Sequence, residues 1–370
     1  MKKELVRLAH KILGGNLYIR LRTLCFRLRD ILHYPEKKIS DNKFITCAVG
    51  ERCSERKYVR KLKKDISLCK RKYGADVVDY FMFHFEEKND EERSRYITED
   101  HRHNYYPIFN KDLGIFSDKT QAYDAFKPFF MRDVLLLDSV KDKTLFYDFI
   151  KKHPGFIVKP RYGARGIGVH IVHVEKGKEE AAFHKLKKEI PVFLEEIIVQ
   201  NEEMARLHPE SINTCRITTV LVNSECRVIN PFIRMGRGKS VVDNRSAGGV
   251  LAPVDPVTGK ITDNAIDKYG QQYIKHPDTG IVLRDFSIPE WEGALALVDK
   301  LCRVIPGYRF IGWDLALTDK GWVMVEGNSK AAFTMIQYFG GLKEEMDRLC
   351  KLVQEEQAPS VSPNSEYAQT

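Results

Sequence analysis

The stretch Ile311–Asn328, IGWDLALTDKGWVMVEGN, decides the reading of this chain. Two runs rich in β-formers flank Asp319-Lys320-Gly321, which predicts a hairpin with Gly321 closing a three-residue loop in the left-handed region. That loop pairs Thr318 with Trp322, and counting back puts Asp314 directly across from Glu326. Side chains alternate along a strand, so Asn328 shares the face of Glu326. Two carboxylates face to face on a sheet repel each other, with Cβ atoms about 5 Å apart. A hard divalent cation offsets that repulsion, because Mg2+ takes a few carboxylate and amide oxygens and completes its shell with water and nucleotide phosphate. The alternative for this stretch alone is a surface hairpin with solvated acids.

Upstream, PGFIVKPRYGARGIGVHIVHV predicts a strand, a glycine loop and a second strand. Phe156-Ile157-Val158 runs into Lys159-Pro160. Gly163, Gly166 and Gly168 then let the backbone come close to a ligand, with Lys159 and Arg165 supplying positive charge. Unpaired N–H groups in such a turn suit phosphate oxygens. No Gly-Lys-Ser/Thr follows, so it is not a Walker loop, and a strand rather than a helix follows the glycines, so it is not a Rossmann fingerprint. Between loop and hairpin come a strand ending in Glu195-Glu196-Ile197-Ile198, and then two strands carrying or flanking Asn213, Arg216, Arg234 and Arg237. The loop SVVDNRSAGGVLAPVD, with Asn244, follows, and 254–285 form a β-rich excursion. The helix IPEWEGALALVDKLCRVIP leads into the hairpin, and a last helix is expected over about 341–354.

The N-terminal third has a different texture. Residues 1–33 carry eight Lys/Arg against two acids, with apolar positions at helical spacing. Such a segment lies on an anionic membrane surface, or packs as an arm on the body or a partner. NKFITCAV (42–49) predicts a short strand. SERKYVRKLKKDISLCKRKYG predicts a helix capped by Ser54, and 86–104 a charged linker. The helix holds nine Lys/Arg, but the interleaved aromatics of a nucleic-acid stacking platform are missing, and a solvated face accounts for it. His101 and His103 lie in a polar loop without a third ligand nearby.

The chain has 370 residues and a formal charge of +9, which points to anionic partners. No run is long and apolar enough to span a bilayer, and the N-terminus has no secretory h-region with a cleavage site. The eight cysteines (Cys25, Cys47, Cys53, Cys69, Cys215, Cys226, Cys302, Cys350) form no CxxC pair and fit free thiols in a reducing cytoplasm.

The ordered set resembles the ATP-grasp superfamily: Lys119, Lys159 with its glycine loop, the Glu-Glu strand end, then Asp314 and Glu326-X-Asn328. Within it, NTCRITT and SAGGVLAPVD look like the sugar-transfer associated ATP-grasp branch, over roughly 116–345. The resemblance implies an α+β fold in which two α+β subdomains clamp ATP between them, preceded by a small helical or mixed N-terminal region. The expected divisions are an arm at 1–40, a small α/β region at 41–115, a lid subdomain at 116–200, a core subdomain at 201–350 and a disordered tail at 351–370.

It also implies roles by position. Lys119 and Lys159 would neutralise phosphate, and Gly163, Arg165, Gly166 and Gly168 would close over it. Glu195, Glu196, Ile197 and Ile198 would form the hinge at the adenine edge, and Glu203 would take the ribose hydroxyls. Asp314, Glu326 and Asn328 would hold Mg2+. Arg216, Arg234 and Arg237 would act on the transferred phosphoryl group or the substrate carboxylate, with Asn213 and Asn244 as possible substrate contacts. The implied reaction is ATP-dependent carboxylate–amine ligation through an acyl phosphate, with release of ADP, in glycan or polysaccharide assembly. The partners would be a small carboxylate such as an acidic sugar and an amine, with no nucleic acid. Placement is cytoplasmic, with the arm at 1–33 as a route to the inner membrane face or to glycan-assembly proteins. Phosphoryl transfer onto a sugar, or a nucleotide-binding scaffold at the membrane, are the alternatives. Removing Asp314 or Glu326 is expected to abolish turnover with the fold intact.

Overall fold

The computed structural model describes residues 40–111, 114–162, 166–241, 243, 248–338 and 340–357. The expected arm at 1–33, Gly163, Arg165, Asn244 and the tail beyond 357 lie outside the described residues.

Two antiparallel sheets organise the chain. The smaller holds β1 (Val134–Leu137), β2 (Gly155–Pro160), β3 (His170–His173) and β4 (Val192–Glu196) in the order β1-β4-β2-β3. Along β2, Phe156, Val158 and Pro160 are buried, and the residues between them are only partly so. The buried side packs with Leu194 against Phe146, Phe149, Phe183 and Leu186 of the helices Lys143–Lys152 and Glu179–Leu186. Because β2 pairs Lys159 with Phe193 and Ile157 with Glu195, period-2 alternation puts Lys159, Phe193 and Glu195 together on the opposite face. That face looks onto the larger sheet.

The larger sheet contains β5 (Thr214–Val222), β6 (Glu225–Met235), β7 (Val250–Pro253), β8 (Ala265–Ile266), β9 (Gln272–Tyr273), β10 (Phe310–Thr318) and β11 (Gly321–Asn328), in the order β11-β10-β5-β6-β7-β8-β9. Ile311, Trp313, Leu315 and Leu317 pack with the helices Trp291–Leu301 and Lys119–Phe130. Phe310, on the other face, joins Val220, Phe232, Phe333 and Met346 under a layer of N-terminal helices. Asp314 lies on that same face four residues along. The site therefore continues directly from the N-terminal layer.

The hairpin differs from its expected register. The turn pairs Thr318 with Gly321 and Leu317 with Trp322, one residue tighter than a three-residue loop. Gly321 has φ +100. Thr318 Oγ1 donates to the Gly321 carbonyl at 2.8 Å and accepts from the Lys320 amide at 3.1 Å. An irregularity between Asp314 and Leu315 then skips Val325 and brings Asp314 opposite Glu326. A bulge inserts one extra residue on one strand, so the expected pairing is reached by a different route.

The N-terminal third departs further. Asp41–Val49 is an α-helix rather than a strand, started by Ser40, whose side chain accepts from the Lys43 amide. A short apolar run does not distinguish the two by periodicity, and here the buried pair Phe44 and Ile45 packs as a helix would. The basic helix runs Arg56–Tyr73 with Glu55, not Ser54, at its N-cap; the Ser54 hydroxyl bonds to the Glu51 carbonyl instead. The stretch expected to be a charged linker is anchored in the core by Arg93, Tyr96, Ile97 and Thr98, which are buried. Arg93 lies across to Asp65 at 2.8 Å and donates to the Phe85 carbonyl at 2.9 Å. Among the described residues, 41–109 contain no strand, so the expected α/β region is helical. The last helix reaches Gln357, past the expected start of the tail at 351.

Candidate functional site

The centre of the site is a run of opposed charges across three strands. Asp314 sits opposite Arg216 on β5 and opposite Glu326 on β11. Arg216 is bidentate to Asp314, through Nε to Oδ1 and through Nη2 to Oδ2 at 2.7 Å. From β6, Arg234 adds Nη2 at 2.9 Å from Asp314 Oδ2. Arg234 also donates to Thr214 Oγ1 from Nε (3.0 Å) and Nη2 (2.7 Å) and lies 3.4 Å from Asp243. Thr214 closes the circuit by donating its hydroxyl and its amide to Asp243.

Electrostatics in this cluster are decided by burial against pairing. Burial pushes the Asp314 carboxyl up, but Arg216 and Arg234 outweigh it and hold it below the ordinary range. Burial favours a neutral Arg234, and Asp243, Asp314 and Glu326 more than reverse that. For Asp243 burial prevails over Arg234, so its carboxyl is raised. Asp243 and Thr214 escaped the sequence reading. Asp243 adjoins Asn244, and only the folded loop brings it to Arg234.

The Glu326 carboxylate makes no ion pair or hydrogen bond among the described residues, and the Asn328 Nδ2 atom is buried without a partner. An amide's two ends are told apart only by their partners, so turning it would offer its oxygen instead. An ionised carboxylate has about four lone-pair sites, and three of those on Asp314 take arginine N–H groups. One site on Asp314, an uncommitted Glu326 and the unclaimed amide of Asn328 form an oxygen-rich donor set that fits a hard cation.

Facing this edge is the smaller sheet. Lys159 Nζ lies 2.9 Å from Glu195 Oε2, and Arg132 grips the same oxygen from Nη2 at 2.7 Å and Nε at 2.9 Å. Arg132 Nη1 also donates to the Met324 carbonyl at 2.7 Å, tying the smaller sheet to β11. Phe116, Lys119, Ala122, Phe130, Lys159, Phe193, Glu195, Met324, Val325, Glu326 and Gly327 line a narrow cleft with about 30 Å3 of free space. That is room for about one water. Gly327 is needed here, since a Cβ would lie 2.3 Å from the Phe116 ring.

Burial pushes Glu195 up, but Lys159 and Arg132 outweigh it and hold its carboxyl at about 2. The folded value lies below the unfolded one, so the group stabilises the fold above about pH 4.5 and loses that contribution as pH falls towards 2. Denaturant midpoints of the wild type should therefore fall more steeply between pH 5 and 2 than those of Glu195→Gln. The difference is expected to be about 3 kcal/mol; parallel curves would refute the assignment.

Lys119 opens the helix Lys119–Phe130, whose cap Asp118 accepts from the Thr120 amide at 3.0 Å. The Asp118 carboxylate also holds Arg161 through Nη2 at 2.8 Å and Nε at 2.9 Å, so the strand leading to the glycine loop and the start of this helix are joined. Neither Arg161 nor Arg132 was singled out from the sequence, because a lone arginine gives no signal before its acid partner is brought near. Gly166 and Gly168 have φ +72 and +75, left-handed values that suit the tight turn read there. Glu196 accepts from the Asp133 amide at 2.9 Å, and half-buried Ile197 and Ile198 follow it.

The remaining expected contacts are spread out. Arg237 donates from Nη1 to the Tyr273 hydroxyl at 2.9 Å, away from the Asp314 cluster. Glu203 is exposed and paired with Arg206 at 2.6 Å. Asn213 is not surface-accessible. Its amide donates to Gln200 Oε1 (3.0 Å), the Met204 carbonyl (2.8 Å) and the His208 carbonyl (3.0 Å), so it braces the chain beneath the site.

Two α+β sheets that close on a lysine-lined cleft beside an acidic hairpin define an ATP-grasp fold. The chain belongs to the sugar-transfer associated ATP-grasp family, whose model matches residues 102–351. No curated protein sequence matches it. Among solved structures it is similar to D-alanyl-alanine synthetase A from Vibrio cholerae, at 12% identity, TM-score 0.40 and 65% of each chain covered. It is also similar to D-alanine–D-alanine ligase from Helicobacter pylori, at 15% identity and TM-score 0.41, covering 64% of this chain and 61% of that one. A third is the ADP complex of PurK, N5-carboxyaminoimidazole ribonucleotide synthetase, at 12% identity and TM-score 0.42, covering 65% and 52%. The chain thus spans less than two thirds of each of these structures.

Proposed function

We propose that this protein is an ATP-dependent carboxylate–amine ligase that forms ADP, acting on a small acidic sugar or related carboxylate in glycan assembly. The observation that carries the reading is the cleft itself. Lys119 and Lys159 line one side of it, Glu326 lies on the other, and the unclaimed amide of Asn328 stands two residues beyond Glu326.

Carboxylates are poor electrophiles, so the substrate carboxylate first attacks the γ-phosphate of ATP to give an acyl phosphate and ADP. The amine then displaces phosphate. Such transfer needs charge neutralisation and alignment more than covalent help from protein. Lys159 and Lys119 would meet the phosphates, Phe193 and Met324 would flank the base, and Glu195 to Ile198 would supply the backbone at its edge. Asp314, Glu326 and Asn328 would hold Mg2+, which neutralises charge on the transferred group. Arg216 and Arg234 are held in place by Asp314, aligned before any ligand arrives. Preorganised donors of this kind cost no reorganisation during reaction. Arg237, farther out beside Tyr273, is assigned to the acceptor side, with Asn244 as a further candidate.

The test is ADP release across a panel of uronic acids and amines, followed by mass spectrometry of the product. Release that needs both components, with a product equal to their condensed mass, is expected. A product heavier than the acceptor by about 80 Da, one phosphoryl unit, would replace ligation with phosphoryl transfer. No release with any pair would favour the nucleotide-binding scaffold.

A further inference from the structure

The helix Arg56–Tyr73 carries a second surface, remote in chemistry from the cleft. Its inner side is settled by Leu62, Cys69 and Tyr73, which are buried. All nine of its Lys/Arg residues are exposed. Three have polar partners: Lys63 on Asn42, Lys70 on Asp100 and Lys72 on Asp90. The other six, Arg56, Lys57, Arg60, Lys61, Lys64 and Arg71, have no ion pair among the described residues. At 100° per residue these six fall within about 140° of one another, opposite the buried stripe. Asp65, the helix's single acid, is turned away to hold Arg93.

Within this arc, between Lys57 and Lys61 and towards its Lys61 edge, stands Leu68, 43% exposed. An apolar side chain framed by cations along a straight rod of about 27 Å is suited to lie flat on a surface that is anionic outside and apolar just beneath. We propose that this face docks the protein onto an anionic lipid bilayer, with the six cations over headgroup phosphates and Leu68 entering the acyl boundary. Delocalised attraction of this kind is worth roughly a five-fold gain in affinity per basic residue near the surface. A nucleic acid fits less well, because base stacking needs exposed rings. The helix's two tyrosines do not offer them: Tyr73 is buried, and Tyr58 is covered by the Arg52 guanidinium at 3.6 Å. No described helix is long and apolar enough to cross a membrane, so the mode is peripheral.

Co-sedimentation of the full chain with vesicles tests this. Wild type should bind vesicles containing about 30% phosphatidylglycerol at low salt, and release on raising salt to about 0.5 M. It should ignore pure phosphatidylcholine. The triple variant Lys57→Glu, Lys61→Glu, Lys64→Glu should bind at least about 100-fold more weakly, and Leu68→Ser several-fold more weakly. Both changes lie on the exposed side, so unchanged thermal melting confirms that folding is not the cause. Undiminished vesicle binding by the triple variant would overturn the proposal and hand any membrane affinity to other segments. Tighter binding of wild type to single-stranded RNA or polyuronate than to vesicles would overturn it in favour of an acidic polymer.

Discussion

Asp314→Ala is expected to lose ATP turnover and folding stability together, whereas Glu326→Gln should lose turnover alone. The separation follows from their partners. Asp314 is 1% exposed and holds both Arg216 and Arg234. Its removal leaves the largely buried Arg216 without its acid and Arg234 with only the longer contact to Asp243. Breaking a buried ion pair in this way typically costs about 3–5 kcal/mol, which a denaturant titration reads directly. Glu326 has no such duty among the described residues, and the glutamine is isosteric. Its loss should cut turnover by on the order of 10^3-fold while leaving the denaturant midpoint in place. Equal stability loss in both variants would contradict the geometry, and near-normal turnover in both would remove the cation assignment. The sequence reading expected either acid to be removable with the fold intact; the Arg216 and Arg234 contacts predict otherwise for Asp314.

The second large effect is on nucleotide binding. Lys159→Met should weaken ATP affinity by about 10- to 100-fold, the value of one hydrogen bond from a charged group, measured by calorimetry. Because Lys159 shares Glu195 with Arg132, the acid stays paired in the variant and folding should be little changed. Unchanged affinity would detach the lysine from the cleft. The narrowness of that cleft adds a corollary. With about 30 Å3 of free space, admitting a purine base would require the cleft to widen, and the Arg132 contacts with β11 tie its two sides together.

Much of this was legible before the fold. The strand ending on Lys159-Pro160 ahead of the glycines was read correctly, and the apolar runs around Asp319-Lys320-Gly321 predicted the hairpin. The pairing of Asp314 with Glu326 also emerged, although the tight turn and the bulge at Val325 each shift the register by one and cancel. The N-terminal third was read poorly for a physical reason. Short runs such as NKFITCAV carry too few periods to separate helix from strand, and 86–104 looks solvated because its charges meet partners only after folding.

Sequence by itself determined where the chain can turn and which residues alternate inward. These are local properties, set within a few residues by backbone sterics and the period of a strand or helix. Tertiary structure alone decided that Asp314 is shared between Arg216 and Arg234, that Arg132 competes with Lys159 for Glu195, and that Asn213 braces the framework beneath the site. Each of those pairings joins residues on different elements. Their charge states depend on burial and on partners that are near only once both sheets and the helices have packed.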